Sequence, residues 1–210
     1  MDSYRTINEN SIISFEVNKS EFIGAAFPLS SEKDVPVFLN NIKRLYPGAS
    51  HYVYAYTLGR GWEIQKFSDD GEPSGTAGMP MLELIKHRKL VDLLIIAVRY
   101  YGGIKLGTGG LKRAYSKTAQ DAIQASGVVI LTLCFRVRIQ LPYHFWGKIQ
   151  HMLTQENIQI SSITYEDEVA ALLIISQDQL AEWKEKLLGI TASQIQIEVL
   201  NQEYCSLNSE

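Results

Sequence analysis

The stretch that decides the fold of the first half of the chain is Val98-Arg-Tyr-Tyr-Gly-Gly-Ile-Lys-Leu-Gly-Thr-Gly-Gly-Leu-Lys-Arg-Ala-Tyr-Ser-Lys117. An unbroken apolar run from Leu93 to Val98 precedes the glycines and predicts a strand buried on both faces. The apolar residues after the glycines have the spacing of one helical face: Leu111, Tyr115, Ala119, Ala122 and Ile123. Thr108 is predicted to cap that helix.

Five glycines in the connection indicate backbone with positive φ, or close approach of another backbone or a ligand. A helix start presents free amides and the positive end of the helix dipole. Cations surround this one, and no acid occurs between Asp92 and Asp121. These features predict an anion-binding site. We assign to it the following residues: Arg99, Tyr100, Tyr101, Gly102, Gly103, Lys105, Gly107, Thr108, Gly109, Gly110, Lys112 and Arg113.

The glycine spacing matches neither of two common nucleotide-binding motifs. A Walker loop needs Lys-Ser/Thr after its second glycine, but Thr108-Gly109 follows Gly107. A dinucleotide fingerprint needs a glycine where Lys112 stands. The motif thus predicts an anion without identifying a nucleotide. The alternative is a glycine turn that only allows the helix to pack closely on the sheet.

Composition sets the broad class of protein. The chain has 210 residues, of which 46% are apolar, as is typical of one large or two small globular domains. It contains no membrane-length apolar stretch and begins without a signal-peptide core. Cys134 and Cys205 suggest no disulfide framework, and the four histidines have no metal-site spacing with them. We therefore expect a cytoplasmic protein with no metal, no cofactor and no membrane partner.

Charge is distributed unevenly along the chain. The net charge is -3, yet residues 86–117 contain eight lysines and arginines and one acid, Asp92. A local basic region on an acidic chain is typical of a nucleic-acid footprint, although a solvated charged surface is the alternative. Residues 134–210 contain five basic and ten acidic residues, which makes that half a poor surface for phosphates.

A second unusual loop runs from Ser68 to Gly78, before a helix that Pro80 opens. Its three carboxylates could hold Mg²⁺ together with a hydroxyl, or could serve acid–base chemistry. The alternative is a turn whose charges face water. The residues of this loop, for which we leave the role open, are Asp69, Asp70, Gly71, Glu72, Ser74, Gly75, Thr76 and Gly78.

The order of predicted elements indicates two α+β domains. The first half mixes hairpins with helices. The second half reads strand-helix-strand-strand-helix-strand, which is the ferredoxin-like order. We predict domains at 1–133 and 134–210.

Three stretches together resemble the YigZ/IMPACT family: Ser68–Gly78, Val98–Gly107 and Gly109–Tyr115. The resemblance implies an N-terminal two-layer α/β sandwich similar to domain IV of elongation factor G. It also implies a ferredoxin-like C-terminal domain similar to domain V of that factor. It supplies no catalytic residues. Met79 departs from the family pattern, where a basic residue is common, and Val53 replaces a frequent cysteine.

The resemblance also implies a role in translational control, as in eukaryotic IMPACT proteins, whose extra partner-binding domain has no room in these 210 residues. We expect a non-enzymatic protein that binds RNA or the ribosome, with lysines at phosphates and tyrosines stacking on bases. Tyr115 is the exception, since its position on the apolar helical face predicts a core residue. Two alternatives remain: a Mg²⁺-dependent enzyme acting on a phosphorylated small molecule, and a regulator that binds a protein partner.

Overall fold

A computed structural model describes residues 3–207 and divides by its contacts into two compact units. One unit is Tyr4–Val129, and the other begins at Ile130. The division lies inside a single strand, β7 (Val128–Leu141). Both units mix helices with antiparallel sheets, so the predicted α+β class is confirmed. Within residues 3–207, no helix is long and apolar enough to cross a membrane.

The first unit is built around an antiparallel sheet in the order β2-β3-β6-β4-β5. A short 3-10 helix, Glu32–Asp34, precedes α1. The elements up to the division are, in chain order, β1 (Ser3–Ile7), β2 (Ser11–Val17), β3 (Ser20–Pro28), α1 (Val35–Leu45), β4 (His51–Leu58), β5 (Ile64–Ser68), α2 (Gly78–His87), β6 (Leu93–Tyr100) and α3 (Gly107–Ser126).

Strand β6 explains why the apolar run before the glycines is unbroken. Leu93, Ile95 and Ala97 pack with α2 and α3 on one face of the sheet. Leu94, Ile96 and Val98 pack with α1 on the other. The strand is therefore buried on both faces, as predicted. The expected two layers become three, because α1 covers the face opposite α2 and α3.

The second unit follows the ferredoxin-like order of elements. After β7 come α4 (Tyr143–Gln155), β8 (Gln159–Tyr165), β9 (Val169–Ser176), α5 (Leu180–Ile190) and β10 (Gln196–Ser206). Its strands pair antiparallel in the order β8-β9-β7-β10. Alternate residues of β7 and β9 pack with Trp146 and Trp183 of the two helices. One face of this sheet therefore carries the core, and the other turns away from α4 and α5.

Candidate functional site

The glycine-rich connection between β6 and α3 packs against the turn between β2 and β3. A Cβ on Gly102 would lie 1.8 Å from the carbonyl oxygen of Lys19, so only glycine allows this approach. Gly103 and Gly107 have φ of +85° and +68°, which favours glycine at both positions. The contact also places the backbone of Lys19 beside this connection. Lys19 is exposed, and the sequence did not indicate it as a residue of the site.

The predicted cap at Thr108 is wrong. Helix α3 begins at Gly107, after Leu106, and no side chain in the described part of the chain caps its first turn. Thr108 lies inside that turn and is exposed. The amides at the helix start are therefore left without a side-chain cap. Gly109 has an ordinary negative φ, and the nearest atom to a Cβ there would be Nη1 of Arg113 at 3.8 Å, so neither conformation nor packing requires glycine.

Three cations near this helix start are available to a ligand. The side chains of Lys105, Lys112 and Arg113 are exposed and form no ion pair with any residue in the range 3–207. Lys117 differs, because its ammonium lies 2.5 Å from the Asp121 carboxylate one turn along α3. The predicted exposure of positions 112 and 113 is confirmed, whereas Leu111 and Ala114 on either side are buried.

Arg99 is not part of that exposed surface. It follows Ala97 on the face of β6 that α2 and α3 cover, where strand alternation turns its side chain inward, and it is only 4% exposed. Its Nη1 donates to Oε1 of Glu72 at 2.6 Å, and its Nη2 donates to Oγ of Ser20 at 3.4 Å. Ser20 Oγ also accepts from the Gly102 amide at 3.2 Å. Arg99 therefore stabilises the glycine loop through the Ser20 hydroxyl, which bonds both to Arg99 and to the Gly102 amide.

Glu72 connects the acidic loop to the glycine loop. Its Oε1 accepts from Arg99 and also from the Tyr115 hydroxyl at 2.7 Å. Burial, followed by this hydrogen bond, raises the pKa of Tyr115 far above that of a free tyrosine. Nε2 of His51 lies 3.8 Å from the same oxygen. The alternative that all charges of the acidic loop face water is wrong for Glu72, which is buried. The prediction that Tyr115 is a core residue is confirmed.

Asp69 holds the acidic loop in shape. Its carboxylate accepts from the amides of Gly75 at 2.8 Å, Ala77 at 3.1 Å and Gly78 at 2.8 Å. Gly78 starts α2, and a Cβ there would lie 2.7 Å from the carbonyl oxygen of Ser68. The carboxylate thus takes the place of a helix cap.

Asp70 fastens the same loop to β4. Its carboxylate accepts from the Tyr52 amide at 2.6 Å, and its carbonyl oxygen lies 2.7 Å from Nδ1 of His51. Gly71 and Gly75 have φ of +84° and +70°, which favours glycine at both positions. The Thr76 hydroxyl donates to the Pro73 carbonyl oxygen. The Ser74 side chain is exposed. The described residues contain no group of three His, Cys, Asp or Glu arranged to hold a metal ion.

The tyrosines of the motif have three different environments. Tyr100 is half-buried against the α1 side of the sheet, and its hydroxyl donates to the Pro47 carbonyl at 3.1 Å. Tyr115 is in the core. Tyr101 is 47% exposed, and the Arg99 guanidinium carbon lies 5.4 Å from its ring centroid. Tyr101 is therefore the aromatic residue of the motif best placed to contact a ligand.

The fold and this surface define a class: a two-domain α+β protein whose N-terminal unit joins an acidic loop to a glycine loop through a buried ion pair. Residues 18–123 match the Impact N-terminal domain, and residues 139–194 match a domain of unknown function, DUF1949. The chain belongs to the IMPACT family.

Similarity to individual relatives extends over both units. The chain is 36% identical over 190 residues to the IMPACT family member YvyE of Bacillus subtilis, covering 89% of this chain and 88% of that protein. It is 31% identical over 184 residues to YigZ of Escherichia coli, covering 87% and 90%. A crystal structure of a hypothetical protein shares 28% identity and superposes with a TM-score of 0.61, covering 97% of this chain and all of that one. The likeness to domains IV and V of elongation factor G stays a prediction.

Proposed function

We propose that the chain binds RNA, on the ribosome or elsewhere in translation, through Tyr101, Lys105, Lys112 and Arg113, which we call the basic loop surface. The observation that carries the proposal is a group of three exposed, unpaired cations at a helix start without a side-chain cap: Lys105 just before α3, and Lys112 and Arg113 in its second turn. No described acid neutralises these cations, and the free amides and positive dipole end of the helix start add to their attraction for an anion. A bound phosphate would accept hydrogen bonds from those amides and neutralise the cations. We place this activity in the cytoplasm.

Gly109 supports the same proposal. In a helix, glycine is about 1 kcal/mol less favourable than alanine. Nothing in the packing or the backbone conformation at 109 requires it. A glycine at position 109 is explained if a ligand approaches the backbone of α3 closely, as phosphates do at glycine-rich helix starts.

Tyr101 suggests which kind of RNA is bound. A half-exposed ring backed by a guanidinium can stack on an unpaired base, which contributes about 1–3 kcal/mol per base. Duplex RNA hides its base faces and is recognised by shape and sugar contacts instead. We therefore expect unpaired RNA to bind better than duplex RNA.

Two other functions fit the contacts less well. A Mg²⁺-dependent enzyme would need free carboxylate oxygens converging on one point, but both oxygens of Asp69 accept from backbone amides. One oxygen of Asp70 accepts from an amide, and one oxygen of Glu72 accepts from Arg99 and Tyr115. A protein-binding regulator would need a large exposed apolar patch, and at the glycine loop the exposed large apolar side chains are Tyr101 and Ile104 (44%). That pair of side chains alone is a small patch.

The test removes three cations at once. The variant Lys105→Ala/Lys112→Ala/Arg113→Ala should keep its melting temperature, because exposed unpaired side chains contribute little to stability. Its affinity for a fluorescent unpaired RNA should fall, and the slope of log K against log salt should drop by about two units. The control is Lys33→Ala/Arg44→Ala/Lys86→Ala, which removes the same charge from exposed positions outside the loop.

Two results decide the matter. If the loop variant and the control lose affinity equally, net charge alone governs binding and the basic loop surface has no special role. If the loop variant binds RNA and sediments with ribosomes as the parent does, the RNA proposal is wrong and the glycine loop is a packing device.

A further inference from the structure

The face of the C-terminal sheet that turns away from α4 and α5 carries a depression of about 250 Å³. Every residue around it belongs to the unit that begins at Ile130. The lining residues are Arg138, Ser162, Thr164, Ala170, Ala171, Leu172 and Leu200. One cation, two hydroxyls and aliphatic side chains therefore surround a space of the size of a small metabolite.

Two arginines project from the same face of β7 and differ in their pairing. Arg136 lies 2.5 Å from the Glu203 carboxylate, which neutralises it. Arg138 is exposed and has no ion pair or side-chain hydrogen bond with any residue that the structure describes. Its cross-strand neighbour Glu198 neither pairs with it nor lines the depression. Arg138 thus presents a guanidinium without an ion pair beside aliphatic side chains.

The sheet register places a second donor opposite this guanidinium. Arg138 of β7 and Ser162 of β8 both pair with Leu172 of β9, so they flank it on either side. The Ser162 hydroxyl has no hydrogen bond to other described residues, whereas Thr164 Oγ1 donates weakly to the Ala170 carbonyl at 3.5 Å. An acceptor group lying over Leu172 can therefore meet donors from both neighbouring strands.

Irregular strand geometry supports the aliphatic part of the site. β8 has a register shift between Ile160 and Ser162, and β10 has one between Val199 and Asn201. Bulges redirect side chains relative to a regular strand. The second bulge contains Leu200, which is 47% exposed and lines the depression. An exposed leucine there offers apolar contact to a ligand and none to the core.

We propose that this depression binds a small carboxylic acid with a short aliphatic chain. The carboxylate would lie between Arg138 and Ser162, because guanidinium–carboxylate hydrogen bonds are charge-assisted and geometrically matched. The aliphatic chain would lie on Ala170, Leu172 and Leu200. The site lies outside the N-terminal unit and is independent of the basic loop surface.

The experiment titrates the full chain with hexanoate and follows backbone amide signals by NMR. Acetate, hexanol and hexylammonium supply the anion alone, the chain alone and the opposite charge. Saturable shifts centred on Ser162, Ala170 and Leu172 are expected with hexanoate at millimolar concentration and should be weaker with each of the other three. Arg138→Gln should weaken hexanoate binding by about ten-fold, the scale of one lost charged hydrogen bond. Arg136→Gln is the matched control and should change it less than two-fold, because that side chain already has a partner.

Three outcomes would overturn the proposal. They are the absence of saturable shifts at these residues, equal binding of hexylammonium, and equal hexanoate binding by the parent and the folded Arg138→Gln variant. If Arg138→Gln instead weakens RNA binding and leaves hexanoate unaffected, the depression is a nucleic-acid surface. The loop variant Lys105→Ala/Lys112→Ala/Arg113→Ala should bind hexanoate as the parent does, which separates this proposal from the RNA proposal.

Discussion

Removing the charge of Arg99 should destabilise the N-terminal unit strongly. In Arg99→Met, the Glu72 carboxylate stays in the interior without its cation. The two side chains are 5% and 4% exposed, so water cannot replace the lost partner. Breaking a buried ion pair in this way costs about 3–5 kcal/mol of unfolding free energy. The Arg99 hydrogen bond to Ser20 is lost as well, which loosens the support beneath Gly102.

An exposed ion pair of similar length supplies the comparison. Arg136 and Glu203 lie 2.5 Å apart, against 2.6 Å for Arg99 and Glu72, but their side chains are 38% and 29% exposed. Arg136→Met should therefore cost only about 0.2–1 kcal/mol. Replacing the whole network in Glu72→Met/Arg99→Met/Tyr115→Phe should cost less than Arg99→Met alone, since no buried charge is then left unpaired.

Urea unfolding followed through the tryptophan indole NMR signals measures both units in one sample. Trp62 reports the unit Tyr4–Val129, while Trp146 and Trp183 report the unit that begins at Ile130. Arg99→Met should move the Trp62 midpoint and leave the other two in place. A loss below about 1 kcal/mol at Trp62 would refute the reasoning, because the pair would then behave as an exposed one does.

Three further predictions follow from the glycine loop and Tyr115. Gly102→Ala should cost about 1–3 kcal/mol or more, because its Cβ would lie 1.8 Å from the Lys19 carbonyl oxygen. Gly109→Ala should stabilise α3 by up to about 1 kcal/mol yet weaken RNA binding, and unchanged binding would remove Gly109 from the argument. Burial and the hydrogen bond to Glu72 raise the pKa of Tyr115 in the folded protein. An unfolded chain ionises its tyrosines at a pKa of about 10. The folded state should therefore lose stability relative to the unfolded state as the pH rises above about 10. Urea titrations of Tyr115→Phe should show a smaller alkaline decline than the parent, and identical declines would contradict the assignment.

The elements of the fold could be predicted because each one has a local signal in the sequence. The run from Leu93 to Val98 indicates a strand buried on both faces, and the apolar spacing from Leu111 to Ile123 indicates α3. The third layer was missed for a different reason. The apolar face of α1 shows that the helix packs on something, but which face of the sheet it covers depends on chain path, and local periodicity carries no information about it.

The ion pair between Glu72 and Arg99 could not be predicted from local patterns. Each residue lies in a separate motif, and each motif alone predicts a site from its own charge. The carboxylates of the acidic loop indicate a cation site, and the cations of the glycine loop indicate an anion site. Pairing depends on β6 turning Arg99 inward and on Asp69 and Asp70 fixing the loop that presents Glu72. A buried strand that ends in Arg, with a Glu in a neighbouring glycine-rich loop, is the one signal that could have suggested it, since buried charges need partners.

The ion pairs also change how much of the local positive charge can reach a ligand. Residues 86–117 contain eight cations, but Arg99 is neutralised by Glu72 and Lys117 by Asp121. The basic loop surface keeps three unpaired cations, and the exposed Lys19 beside Gly102 adds a fourth. At about 0.7 units per phosphate contact with single strands, the parent protein should show a salt slope of about -2 to -3. If all eight cations met phosphates, the slope would be about -5 to -6. A measured slope in the steeper range would mean that most of the binding energy comes from cations outside the basic loop surface, and the proposed interface would have to be redrawn.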